Sequence, residues 1–104
     1  MTTAKRNVDA LEFFEKLSGP MTLGRAIAAL RLSDEKTQVQ YAKKLGISQN
    51  HLSQIEKGLK VVSVERAKKF AKALGHSEIV FVQLAVQDEL DRLGIKMKVH
   101  LKIA

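Results

Sequence analysis

Residues Lys36 to Gly58, KTQVQYAKKLGISQNHLSQIEKG, hold two short helical patterns pinned around a single glycine. Two helices joined by so short a turn cross steeply only under three conditions. The first needs a small residue at the contact, the turn must tolerate positive φ, and the second helix must send apolar residues back inward. Ala42 is the small residue four positions before Gly46, Ile47 enters the core after the turn, and Leu52 and Ile55 form the inward face of the second helix. Ala42, Gly46, Ile47, Leu52 and Ile55 are therefore the expected core of a bent helix pair.

Capping residues extend this frame in both directions. Thr37 is placed to cap Gln38 to Leu45, and Ser48 to cap Gln49 to about Lys57, with Gly58 closing it. Upstream, Thr22 opens a helix from Leu23 to about Leu32 with Leu23, Ala26, Ile27 and Leu30 on one side; Arg25 and Arg31 are expected to stay in solvent. Downstream, Ser63 opens Val64 to Leu74, a plain core helix ended by Gly75. Ser77 to Leu93 carries two apolar stripes, Ile79, Val82, Val86, Leu90 and Leu93 on one and Phe81, Leu84 and Ala85 on the other. Such a helix needs two surfaces to cover it. At the start of the chain, Asn7 caps a helical pattern through Val8, Leu11, Phe14 and Leu17 that stops at Ser18 to Pro20.

After Gly94 the period falls to two. Ile95, Met97, Val99, Leu101 and Ile103 alternate with Lys96, Lys98, His100 and Lys102. This predicts a β-strand, and a lone strand must find a partner for its backbone. The simplest expectation is a homodimer in which each strand pairs antiparallel with its twin. The chain thus divides into an N-terminal extension helix (1–21), a central helical domain (22–75) and a dimerisation or partner segment (76–104).

The chemistry of a site must come from polar side chains without cysteine, since the chain has none. His51, His76 and His100 are scattered, no nucleophile stands beside a base, and no glycine loop cradles phosphate. No enzyme activity, cofactor or metal is expected, and Glu56 is expected to anchor a local hydrogen bond or ion pair. The net charge of +7 instead favours a polyanionic partner, nucleic acid first and an anionic membrane second. No apolar run of signal-peptide or membrane-spanning length occurs, so the expected place is the cytoplasm.

The second motif helix shows what that partner is. With Leu52 and Ile55 inward, Gln49, Asn50, Ser53 and Gln54 fall on the open side with His51 at the flank. Amide side chains donate and accept together, as bidentate reading of adenine N6 and N7 in the major groove requires. Ser48 both caps the helix and sits at its positive end, and Lys43, Lys44, Lys57 and Lys60 flank it as phosphate clamps.

Gln38, Ala42, Gly46, Leu52, Ile55, Glu56 and Gly58, followed by the Ser63 to Gly75 segment, resemble the XRE-type helix-turn-helix family, the phage lambda-repressor and Cro-like DNA-binding domain. The likeness covers roughly residues 22 to 75. It departs at Val61, Val62 and Ser63, where many relatives carry a proline before the serine. The resemblance implies an all-α fold, a five-helix lambda-repressor-like domain with about six helices once the N-terminal one is counted, joined here to the C-terminal strand. It implies that Thr37 and Gln38 abut the DNA backbone, Gln38 contacting phosphate or bracing Gln49, while Ser48, Gln49, Asn50 and Gln54 face bases. A dimeric, autoregulating repressor on an inverted-repeat operator, bacterial or phage-encoded and nucleoid-associated, is the function it implies. More loosely the whole chain resembles antitoxin-type repressors, which would bind and neutralise a co-encoded toxin through an N- or C-terminal extension.

Overall fold

The computed structural model describes residues 21–104. The helix expected at Val8 to Leu17 lies outside them. Five helices follow one another: α1 (Leu23–Ser33), α2 (Gln38–Leu45), α3 (Gln49–Glu56), α4 (Val64–Leu74) and α5 (Glu78–Arg92). Each begins where a hydroxyl residue can accept from a first-turn amide. Thr22, Thr37, Ser48, Ser63 and Ser77 accept from Arg25, Gln40, His51, Arg66 and Val80 respectively. Gly46 ends α2 at φ 71°, and the Ile47 N–H reaches back to the Ala42 carbonyl at 3.0 Å, so the chain reverses into α3 within three residues.

The apolar faces meet in one core. Leu23 and Ile27 of α1, Tyr41, Ala42 and Leu45 of α2, Leu52 and Ile55 of α3, Ala67, Phe70 and Ala71 of α4, and Phe81 and Ala85 of α5 are all buried, with Val62 from the α3–α4 loop. No polar or charged residue is buried among the described residues. Tyr41 is the largest of the fully buried side chains, and its hydroxyl escapes to the core edge to donate to Asp34 at 2.5 Å.

Gly24 sets how closely α1 and α3 approach. A Cβ on it would lie 2.0 Å from the Ile55 carbonyl oxygen, so backbone meets backbone there and only glycine fits. Beside it at the start of α1, the Leu23 N–H donates to Asp88 Oδ2 of α5 at 3.0 Å. Burial raises the Asp88 carboxyl to about pH 6, against the lowering effect of that bond, and its Oδ1 is buried without a hydrogen-bond partner.

One expectation is met in part and one needs correction. Of the two stripes on α5, Phe81 and Ala85 go into the core and Leu84 packs against it, while Ile79, Val82, Val86 and Leu90 stay half-buried and Leu93 is exposed. The strand expected from Ile95, Met97, Val99, Leu101 and Ile103 does not form: residues 95–104 join no ladder among the described residues. Their backbone is held instead by side chains of α5. Gln87 Nε2 donates to the Met97 carbonyl at 2.8 Å, and the Val99 and Leu101 N–H groups donate to Gln87 Oε1 and Gln83 Oε1 at 2.8 and 2.9 Å. A two-residue alternation specifies an extended chain but not what lies beside it, and here a pair of glutamines one helical turn apart takes the place of a neighbouring strand.

Candidate nucleic-acid interface

α3 is anchored on one side and open on the other. Leu52 and Ile55 are essentially inaccessible. At about 100° per residue, Gln49, Ser53, Asn50 and Gln54 span roughly 140° of the opposite side. Gln49 and Asn50 are exposed in the first turn, and Ser53 and Gln54 half-exposed a turn later. None of these four side chains bonds to another described residue. His51, nearer the buried side, is half-exposed. The Ser48 hydroxyl accepts from the His51 N–H at 3.0 Å, which fixes the start of α3.

α3 is tied to the rest of the domain by a cluster at its other end. Arg31 of α1 grips the Glu56 carboxylate with two nitrogens, Nε at 2.8 Å and Nη2 at 3.0 Å, and its Nη1 donates to the Lys36 carbonyl at 3.1 Å. Glu56 Oε1 also accepts from Gln38 Nε2 at 3.0 Å. α1 and α2 thus meet α3 at one carboxylate, and Arg31 ties the α1–α2 turn to the same cluster. The side chains of Arg31 and Glu56 are only 13% and 7% exposed, so the pair is largely withdrawn from water, and its hydrogen bond raises the arginine pKa further above its ordinary value. Arg31, expected in solvent, is therefore a structural residue; the missing signal is the half-buried acid it meets, which only the crossing of α1 and α3 supplies.

Gln38 stands at the first turn of α2 and is bonded to Glu56, which leaves its second amide proton and its carbonyl oxygen for a ligand. Thr37 beside it is engaged in a reciprocal cap with Gln40, at 3.1 Å to the Gln40 N–H and 2.9 Å from Gln40 Oε1 to its own N–H. Lys43, Lys44, Lys57 and Lys60 are exposed, and none joins an ion pair among the described residues. Lys43 and Lys44 also lie in the last turn of α2, where cations suit the helix end without any ligand. Among the described residues no three histidine, cysteine, aspartate or glutamate side chains gather as metal ligands, and no helix is long and apolar enough to cross a membrane.

This geometry, a glycine-hinged pair of short helices with the second one proud of the surface, has a counterpart among known families. A helix-turn-helix family model matches residues 27–81, from the middle of α1 to the start of α5. The chain belongs to the XRE-type helix-turn-helix family. It is accordingly a DNA-binding transcription regulator with double-stranded DNA as its partner, in a family whose members are regulatory domains. No curated protein and no solved structure matches it. The match reaches six residues further than the likeness read from the motif, taking in Phe81, whose ring fills the core beside α4.

Proposed function

We propose that this helix-turn-helix protein is a sequence-specific repressor that binds an inverted-repeat operator as a two-fold pair, including one upstream of its own gene. The observation that carries the reading is the open face of α3: Gln49, Asn50, Ser53 and Gln54 are bonded to no described residue, on a helix whose other side is locked by Leu52 and Ile55. Exposed amides on a rigid support suit bidentate hydrogen bonding to adenine, and the rigidity means that little motion is frozen on binding. Ser48 contributes by orienting the first turn. Gln38, Thr37, His51 and the lysines 43, 44, 57 and 60 supply the backbone contacts that hold the reader helix in register. Two copies place their reader helices in successive major grooves, with half-sites about 10 base pairs apart or a multiple of that.

The test is fluorescence anisotropy against DNA from upstream of the gene and against a scrambled duplex, at low and physiological salt. Gln49→Ala should cost about 1–3 kcal/mol on the specific duplex at one operator position and leave the scrambled one unchanged. Equal losses on both would refute base reading by α3.

A second reading, that the chain binds and neutralises a co-encoded toxin through an extension, is supported by Leu93, Ile95, Met97 and Ile103. All four are exposed apolar side chains that await a cover.

A further inference from the structure

The tail after Gly94 is used by none of the DNA contacts. Three alternate residues turn backbone groups toward α5, through the Met97 carbonyl and the Val99 and Leu101 N–H groups, while the Met97 N–H closes on the Ile95 carbonyl at 3.0 Å. The same period of two directs the backbone of His100 and Lys102 away from α5, leaving an edge whose donors and acceptors run in strand order. Gln83 and Gln87 hold the segment in this shape without a sheet. The odd-numbered side chains are apolar, and Met97 and Ile103 are 67% and 87% exposed. The even-numbered row, Lys96, Lys98, His100 and Lys102, is basic throughout, and Lys96, His100 and Lys102 are exposed.

We propose that this outer edge binds an extended strand of another protein in which apolar and acidic residues alternate. The proposal rests on the partner-binding reading of the tail and names the chemistry of the partner. A second copy of this chain is a poor occupant. In any antiparallel register that sets apolar side chains opposite apolar ones, even-numbered residues face even-numbered residues, so every cross-strand pair of that row joins lysine or histidine to lysine or histidine. An acidic strand inverts each of these pairs while its main chain completes the edge. This is strand addition, in which backbone bonds supply affinity and alternate side chains supply selectivity.

The experiment titrates the full-length protein into a short labelled peptide of alternating valine and glutamate, beside valine–glutamine and valine–lysine peptides of equal length. The glutamate peptide should bind saturably and about tenfold more tightly than the glutamine one, as three cross-strand charge pairs of a few tenths of a kcal/mol each would give. Lys96→Glu with Lys102→Glu should reverse the preference to the lysine peptide. His100→Pro removes an outer-edge N–H without touching the bonds to Gln83 and Gln87, and should abolish binding while the helical circular dichroism and thermal midpoint hold.

Equal binding of all three peptides, or none, overturns the proposal. So does a wild-type chain that is dimeric by light scattering and monomeric as His100→Pro, which would give the edge to a second copy. Loss of upstream-DNA affinity in the charge-reversed variant, with no peptide bound, would give the lysine row to phosphates. If a neighbouring gene product binds wild type and His100→Pro alike, the partner reading stands and this edge is not its site.

Discussion

Replacing Gly24 by alanine sets two physical effects against each other. Gly24 is the second residue of α1, and within a helix alanine is favoured over glycine by up to about 1 kcal/mol, so propensity alone predicts a more stable protein. The packing predicts the opposite. The new Cβ would sit 2.0 Å from the Ile55 carbonyl oxygen and 3.0 Å from its carbon, where ordinary C···O contacts begin near roughly 3.3 Å. Both groups are main chain, so no side chain can swing aside, and α1 and α3 must part by about an ångström. A gap of that size forfeits a quarter to a half of each dispersion contact it opens, and overpacking of this kind costs about 1–3 kcal/mol. It also stretches the grip of Arg31 on Glu56, which spans the same pair of helices. The net expectation is a loss of about 1 kcal/mol. With a urea m-value of about 1.3 kcal/mol/M, the unfolding midpoint should fall by about 0.8 M at unchanged slope. A midpoint that stays or rises would show that the two helices separate at no cost, and the claim that Gly24 fixes their approach would fail.

Removing the Glu56 carboxylate by Glu56→Ala leaves Arg31 and Gln38 without their shared acceptor and should cost about 1–3 kcal/mol in urea unfolding. The double change Arg31→Met with Glu56→Leu should recover part of that loss, since a packed apolar pair replaces a half-buried ionic one. Asp88 predicts a pH dependence. Its folded pKa of about 6 lies above the ordinary value of 3.8, so the folded state holds the proton more tightly. The stability this contributes is full below about pH 4 and is lost as pH rises through 6. Asp88→Asn should flatten the wild-type slope of urea midpoint against pH between 4 and 7; parallel slopes would remove Asp88 as its source. Phenylalanine at position 41 keeps the buried ring but gives up the bond to Asp34, so Tyr41→Phe should cost about 1 kcal/mol in the same assay.

Most of the helical frame was legible because the signals were local. Thr22, Thr37, Ser48, Ser63 and Ser77 cap within three residues of themselves, and Gly46 and Gly75 end helices by their own backbone preference. The open face of α3 was legible for the same reason, because Leu52 and Ile55 settle by subtraction which residues point out. What stayed hidden depended on distant partners. Arg31 reads as a solvated cation until Glu56, 25 residues away, is brought to it, and Gly24 reads as a weak point in a helix until Ile55 is set against it. Asp88 reads as one more acidic residue on α5 until it meets the amide at the start of α1. The tail misled most, since its alternation specified an extended backbone but was silent on whether a strand or a row of glutamines would bind it.

The four side chains on the open face of α3 have no bonds within the described protein, whereas Ser48, Gly46, Leu52, Ile55 and Glu56 hold the helix in place. Under the proposed base reading, address and scaffold are written in separate letters of the same short helix. Exchanging Gln49, Asn50, Ser53 or Gln54 stays within the few tenths of a kcal/mol typical of surface substitutions, so a change of operator under that reading does not approach the threshold at which a marginal fold is lost.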